Sequence, residues 1–215
     1  MFTAIIPIRK GSKRIKNKNL RIINNLPLYQ HIVNTTLKCK KISKVIISTD
    51  IEKIMVHYKN HRKIIIKKRK KSLAGNCNMN LVIKDIIEDL DEKLYVQLHA
   101  TSPFLNNISL DKHLSNFLSQ SKYDSFFSVN KFAKRLWKNA KTPFNHILHS
   151  EPTTQNLQIL YEENSAFYIF TKKSFFKNDN RIGNKPKMIE LNKIESFDID
   201  EESDLNFIKY VQKNK

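Results

Sequence analysis

Short apolar runs alternate with longer amphipathic segments along most of this chain. That alternation predicts an α/β fold with a largely parallel sheet. The apolar runs predict strands at 3–8, 45–48, 64–67, 94–98, 125–129 and 166–170. The amphipathic segments predict helices at 28–37, 51–58, 80–90, 110–119 and 202–211. Because 215 residues suffice for one full core, we expect a single domain over 1–215.

The first predicted strand runs directly into a cationic loop that ends near Leu20. This loop contains no acid, and its basic side chains are Arg9, Lys10, Lys13, Arg14, Lys16 and Lys18. A strand that ends in a short basic loop with a glycine, here Gly11, is typical of phosphate sites in α/β enzymes. With Gly75 and Gly183 as its other glycines, the chain has neither a P-loop nor a dinucleotide fingerprint. A solvated basic loop or a nucleic-acid-binding arm remains an alternative.

The composition bounds the partners and the compartment. The formal net charge of +19 would suit a polyanion, but lysines are spread along the chain, and no zinc-finger spacing or RNA-binding signature accompanies them. We therefore do not expect a nucleic-acid partner. Cys39 and Cys77 have no metal-ligand spacing, which favours free thiols in a reducing compartment. The apolar runs are far shorter than the ~20 residues that span a bilayer, and the N-terminal segment lacks the order of a secretion signal. We therefore expect a cytoplasmic protein without membrane contact.

Polar residues follow several predicted strands, at the sheet edge where open α/β sheets bind ligands. Asp50 ends the run 45–50 and is placed to cap the next helix. His99, Thr101 and Ser102 follow the strand at 94–98. Thr101 and Ser102 could bind sugar hydroxyls or a carboxylate. His99 could act as a base or as a hydrogen-bond donor, although a structural role is equally compatible with the sequence.

Residues 131–163 break the alternation with Trp137, Pro143 and Pro152 and no clear period. A long irregular insertion of this kind is usually a lid, a binding loop or a subunit arm. The segment 161–169 then places acids and Asn164 just before a strand, where a polar turn and a binding site are equally compatible with the sequence.

A pair of carboxylates lies near the C-terminus. Asp198 and Asp200 are two residues apart, so on an extended segment their side chains face the same side. Two carboxylates on one face are costly unless solvated or bridged by a cation, and Mg²⁺ with nucleotide phosphates is the usual occupant. A cationic phosphate loop and a Mg²⁺-type Asp pair in one chain predict nucleotidyl transfer, in which an acceptor attacks the α-phosphorus of a triphosphate.

The chain resembles the acylneuraminate cytidylyltransferases, which join CTP to a nine-carbon 2-keto acid sugar. The resemblance covers almost the whole chain, with motifs in the family's order. The matching segments are 6–20 (IPIRKGSKRIKNKNL), 45–50 (VIISTD), 101–103 (TSP), 163–169 (ENSAFYI) and 197–200 (FDID). It implies a Rossmann-like nucleotidyltransferase fold with helices on both faces of a mostly parallel, mixed sheet. It also implies a homodimer in which the arm at about 131–163 reaches into the partner.

The same resemblance implies roles for individual residues. The nucleotide CTP would be bound by Arg9, Gly11, Ser12, Lys18, Asn19 and Arg69. The acceptor sugar would be bound by His99, Thr101, Ser102, Asn164 and Tyr168. Mg²⁺ would be held by Asp198 and Asp200, and the catalytic residues would be Arg9, Lys18 and Asp198.

This chain departs from the family pattern on the sugar side. The family usually has Gln two residues before Thr-Ser-Pro, where this chain has His99. The loop after Arg69 usually carries acids, but 70–76 contains none. We expect an N-acylneuraminate-type acceptor, because the segment 164–169 matches that branch of the family best. The departures leave pseudaminic, legionaminic and Kdo-like acids as alternatives. A non-catalytic module that binds nucleotide or RNA is the alternative from a different functional class.

Overall fold

The computed structural model describes residues 1–75, 77–148 and 153–213. Their strands are β1 (Phe2–Ile8), β2 (Ile22–Ile23), β3 (Leu26–Pro27), β4 (Ile42–Thr49), β5 (Ile64–Lys68), β6 (Leu94–Leu98), β7 (Ser125–Phe132), β8 (Trp137–Asn139), β9 (Thr142–Pro143), β10 (Leu160–Thr171) and β11 (Pro186–Glu190). Their helices are α1 (Leu28–Lys38), α2 (Glu52–Tyr58), α3 (Met79–Ile87), α4 (Asn107–Leu118), α5 (Lys172–Asn178) and α6 (Glu202–Lys213).

The described residues build a seven-stranded sheet in the order β11-β7-β10-β6-β1-β4-β5. Parallel pairs join β1 to β4 and to β6, β4 to β5, and β11 to β7. Strand β10 lies between β6 and β7 and is antiparallel to both. The predicted α/β class with a mostly parallel sheet is confirmed, and β10 makes that sheet mixed.

Successive residues of β1 enter two separate cores. Ala4 and Ile6 pack in a cluster with residues of α1, α2 and α4, whereas Ile5 packs in a second cluster with residues of α3 and α5. All three side chains are fully buried. Helices therefore cover both faces of the sheet, which explains why its central strands are nearly continuous apolar runs.

A third apolar cluster joins the two ends of the chain. Ile15 of the N-terminal loop packs with Ile199 and with Leu205 of α6, and all three are buried. Burying one such side chain contributes roughly 1.5–3 kcal/mol. This packing brings the Asp198–Asp200 segment next to the cationic loop.

The predicted arm at 131–163 is only partly irregular. At its ends β7 continues to Phe132 and β10 begins at Leu160, and β8 and β9 form a small hairpin between them. Large apolar side chains on it are exposed, among them Trp137, Phe144 and Ile147. Positions 149–152 of the predicted arm, and position 76 of the loop after Arg69, lie outside the described residues.

Cys39 and Cys77 are free thiols in the structure. Within the described ranges, no helix is long and apolar enough to cross a membrane.

Candidate active site

A cavity of about 510 Å³ lies at the carboxyl ends of β1 and β6, between the N-terminal loop and the segment before α6. This is where open α/β sheets bind ligands. The predicted site residues that line it are Arg9, Ser12, Lys18, Asn19, Arg69, His99, Thr101, Asp198 and Asp200. The predicted site residues outside this lining are Gly11, Ser102, Asn164 and Tyr168.

Side-chain contacts hold the backbone of the N-terminal loop. The amide Nδ2 of Asn19 donates to the carbonyl oxygen of Arg9 at 3.0 Å. The carboxylate of Asp50 accepts the backbone N–H of Lys10 at 2.6 Å. Gly11 has φ +78°, a left-handed conformation that favours glycine, and it borders a smaller cavity of about 290 Å³. The loop conformation is therefore fixed by contacts within the protein.

The role expected for Asp50 as a helix cap is wrong. Helix α2 begins at Glu52, and its N-cap residue Ile51 makes no side-chain cap in the described structure. The Ile51 N–H is instead taken by the Thr49 hydroxyl at 3.1 Å. Asp50 turns towards the N-terminal loop because its carboxylate bonds to Lys10, forty residues away.

Arg69 places a buried positive charge at the cavity. The residue is 6% exposed, and neither its Nε nor its Nη2 has a hydrogen-bond partner among the described residues. Burial lowers the pKa of Arg69, and the charge of Asp50 partly opposes that shift. A buried guanidinium with free donors is unfavourable until an anion binds it.

The Asp198–Asp200 segment lies outside the helices and strands of the described structure. Asp198 and Asp200 line the cavity, whereas Ile199 between them is fully buried on the other side. The Ile199 N–H donates to the carbonyl oxygen of Thr101 at 3.0 Å, and Lys18 Nζ donates to the Ile199 carbonyl oxygen at 2.7 Å. These two bonds tie the C-terminal segment to the loop after β6 and to the N-terminal loop.

The two carboxylates have opposite electrostatic environments. Burial raises the pKa of Asp198, against a hydrogen bond with Thr101, and the charge of Asp200 raises it further. Burial also opposes ionisation of Asp200, but Lys18 and Arg14, both 3.0 Å from its Oδ1, outweigh burial and lower its pKa.

The Asp pair fits a hard divalent cation. Asp198 Oδ1 is buried and has no hydrogen-bond partner within the described chain. No group of three or more His, Cys, Asp or Glu side chains able to hold a metal occurs in the described ranges. Mg²⁺ characteristically takes one or two carboxylates and completes its shell with substrate phosphates and water. The donor set therefore suits Mg²⁺ bound together with a nucleotide.

His99 and its neighbours form the cavity wall beside the Asp pair. Burial lowers the pKa of His99 to about 4, helped by the charges of Arg181 and Lys18, so the imidazole is neutral at pH 7. Its Nε2 has no partner among the groups that the structure describes. Thr101 lines the cavity beside it, whereas Ser102 is 1% exposed and lies behind the lining.

Asn164 faces a second cavity of about 430 Å³ that adjoins the first. The two cavities share the lining residues Ser165, Asp198 and Asp200. The Asn164 amide donates to Asn130 Oδ1 at 2.9 Å and accepts the Ala166 N–H at 3.2 Å, so its orientation is fixed. The structure thus brings Asn164 to a cavity that the Asp pair also lines.

Tyr168 lies beneath the surface of this wall. It is fully buried, and its hydroxyl contacts the Glu163 carboxylate and lies 3.0 Å from the Ser165 hydroxyl. The guanidinium of Arg181 lies 3.7 Å from the centre of the Tyr168 ring. Tyr168 therefore supports the residues that line the cavities.

Some residues of the site were missed from the sequence. Lys13 and Arg14 line the cavity. The sequence indicated them only as members of the cationic loop and gave neither an individual role. Arg181, which packs under the wall, lies between α5 and β11 in a segment with no motif or period.

Known proteins resemble this chain over nearly its whole length. A pseudaminic acid cytidylyltransferase of Campylobacter jejuni is 28% identical, over 97% of this chain and 95% of its own length. An N-acylneuraminate cytidylyltransferase of Escherichia coli is 23% identical, and the matched region covers 99% of this chain but only 52% of that protein. A CMP:2-keto-3-deoxy-manno-octonic acid synthetase solved with CTP shares the fold, with a TM-score of 0.70 at 12% identity, over 100% of this chain and 99% of its own. A family profile described as cytidylyltransferase matches residues 3–215, and the chain therefore belongs to the cytidylyltransferase family.

Proposed function

We propose that this protein transfers CMP from CTP to the anomeric hydroxyl of a nonulosonic acid and releases pyrophosphate. One observation carries the proposal. A single cavity is lined by the buried Arg69, whose Nε and Nη2 have no hydrogen-bond partner among the described residues, and by Asp198, whose buried Oδ1 has none there either. A nucleotide triphosphate with its divalent cation would satisfy both groups at once, because it supplies phosphate oxygens to the first and a cation to the second.

The cationic loop would bind the triphosphate. Arg9 and Lys18 are the candidate catalytic cations, since both line the cavity and can neutralise charge on the departing pyrophosphate. Ser12 and Asn19 line the same cavity beside them. Gly11 would contribute by shaping the loop, because it lies outside the lining of this cavity.

Mg²⁺ would be held by Asp198 and Asp200, and it would neutralise charge on the triphosphate. The acceptor oxygen forms a bond to the α-phosphorus while the bond from that phosphorus to the β-phosphate oxygen breaks. Asp198 would assist the removal of the proton from the acceptor hydroxyl. Most of the rate enhancement then comes from positioning and charge stabilisation.

The acceptor would occupy the region around His99, Thr101 and Asn164, with Ser102 and Tyr168 supporting the wall. Neutral imidazole, hydroxyl and amide groups suit a polyhydroxylated, N-acylated sugar acid. We place pseudaminic acid first among the acceptors, because the relative named for it corresponds to this chain over nearly its full length. Legionaminic acid is second by the same criterion, because a CMP-N,N'-diacetyllegionaminic acid synthase of Campylobacter jejuni corresponds to 94% of this chain and to 91% of its own length. N-acylneuraminate is third, since the chain spans only about half of the relative named for it.

The exposed apolar side chains of the arm support a homodimer. Trp137, Phe144 and Ile147 are about half exposed or more, which is costly for a segment that projects into water. We propose that the arm packs against a second copy of the chain. The free thiols Cys39 and Cys77 are compatible with a cytoplasmic location.

Pyrophosphate release from CTP tests the activity against a panel of acceptors. The panel contains pseudaminic, legionaminic, N-acetylneuraminic and Kdo acids, each with and without Mg²⁺. We expect Mg²⁺-dependent release with at least one nonulosonic acid and its loss in Asp200→Asn. If no acid supports release at any Mg²⁺ concentration, and the protein instead binds RNA with a steep salt dependence, the proposal is wrong.

A further inference from the structure

The guanidinium of Arg181 contacts residues of two neighbouring strands, β6 and β10, beneath the proposed acceptor region. Gln97 of β6 and Tyr168 of β10 are direct neighbours in the antiparallel register, so their side chains lie on one face. Arg181 Nη1 donates to Gln97 Oε1 at 2.8 Å, and the same guanidinium stacks 3.7 Å from the centre of the Tyr168 ring. Gln97 and Tyr168 are both fully buried. Arg181, whose side chain is 16% exposed, therefore links this strand pair.

The Arg181 side chain also lies near the bulge of β10 between Glu163 and Tyr168, which carries Asn164 of the proposed acceptor region. Strand β10 loses its register with β7 between Glu163 and Tyr168, and Ser165 within that stretch has φ +60°. Bulges of this kind commonly redirect side chains into a site. The Glu163 carboxylate contacts the Tyr168 hydroxyl and lies 3.8 Å from Arg181 Nη2. These contacts fold the bulge back over Tyr168.

We propose that Arg181 is a positioning residue for the acceptor, which holds the bulge 163–168 so that Asn164 and Ser165 line their cavities. The inference rests on the proposed function, in which the acceptor binds beside these residues. Arg181 itself lines none of the cavities described above, so it acts through Glu163 and Tyr168. The nucleotide side is held by separate contacts, such as that between Asp50 and Lys10.

A lysine cannot replace these contacts. Its ammonium is a point charge, whereas the planar guanidinium stacks on an aromatic ring and donates from two nitrogens in fixed directions. Arg181→Lys would keep attraction to Glu163 but lose the stacking and the fixed geometry towards Gln97. Arg181→Met would keep most of the side-chain volume and lose the charge and the hydrogen bonds as well. The two variants therefore separate charge from geometry.

Steady-state kinetics with CTP and with the acceptor tests the functional part. For Arg181→Met we expect the KM of the acceptor to rise about tenfold or more, with the KM of CTP within about twofold of the original protein. Arg181→Lys should show a smaller rise in the same parameter. Arg62→Met, which changes an exposed residue before β5, is the matched control and should change neither KM. An equal loss on both substrates would mean general structural damage and would overturn the assignment.

Hydrogen-exchange mass spectrometry tests the physical part without any turnover. We expect Arg181→Met to accelerate exchange in peptides covering 163–168 while peptides covering 9–19 stay unchanged. Unchanged exchange at 163–168 would overturn the inference even if the enzyme is active. If the original protein turns over no sugar acid, the proposed function fails, and the exchange result still decides whether Arg181 holds the bulge.

Discussion

Arg69→Met should stabilise the free protein and weaken CTP binding. The guanidinium is 6% exposed and has two nitrogens without partners among the described residues, so the fold bears its desolvation. An unsatisfied buried group costs about 1–3 kcal/mol, and the attraction of Asp50 offsets part of this. The net gain on removal is therefore about 1 kcal/mol, which corresponds to about 2–4 °C in Tm for a chain of this size.

The loss in CTP affinity should be larger than this gain. A hydrogen bond that involves a charged group contributes about 1.5–3 kcal/mol, and Arg69 has two free nitrogens to offer a phosphate or base. Losing them should raise the Kd of CTP by on the order of 100-fold. Calorimetric titration measures the Kd, and thermal denaturation with and without saturating CTP measures both effects.

The matched control is Arg62→Met, at an exposed position before β5, which should change neither Tm nor Kd appreciably. Opposite signs in one variant are the specific result: a higher Tm without ligand and a much smaller rise in Tm on adding CTP. If Arg69→Met instead lowers the Tm without ligand and leaves the rise in Tm on adding CTP unchanged, Arg69 is a satisfied structural residue and does not bind CTP.

Substitutions at three further positions test other parts of the site. Asp50→Ala removes the acceptor of the Lys10 N–H and should raise the KM of CTP several-fold, with a smaller rise in Asp50→Asn, as measured by steady-state kinetics. Asp200→Asn should lower kcat on the order of 100-fold or more while Tm changes little, since Lys18 keeps its bond to the carbonyl oxygen of Ile199. Burial lowers the pKa of His99 to about 4. Between pH 6.5 and 4 the unfolded chain therefore binds a proton that the folded chain does not, and the free energy of unfolding decreases as the pH is lowered. His99→Gln should flatten that fall in denaturation curves and change the ranking of sugar acids with the KM of CTP unchanged.

The elements that the sequence predicts best are those buried on both sides. The run at 94–98 coincides with β6, because four of its five residues are apolar and the strand lies in the middle of the sheet, between β1 and β10. Strand β11 was missed because it is an edge strand that begins with Pro186 and buries only Ile189 among its residues. Helix α5 was missed because seven residues directly after β10 are too short to show a helical period.

The candidate site could be predicted where chemistry is concentrated in short segments. The cationic loop and the Asp198–Asp200 pair are recognisable in the sequence because each concentrates like charges that require a partner of opposite charge. In the structure, packing of Ile15 against Ile199 brings the two segments together at one cavity. Asp50 and Arg181 act over long separations, through contacts with Lys10 and with the β6–β10 pair. No local pattern encodes such contacts, because they exist only once the strand order is fixed.

Mass spectrometry of the product from one mixed reaction shows directly whether this protein forms a CMP-sugar and which sugar acid it uses. The protein is incubated with CTP, Mg²⁺ and a pool of pseudaminic, legionaminic, N-acetylneuraminic and Kdo acids. The account predicts one dominant CMP-sugar, formed from an N-acylated nonulosonic acid, together with an equal amount of pyrophosphate. The absence of any CMP-sugar, or a product formed only when a neutral sugar phosphate is added to the pool, would contradict it.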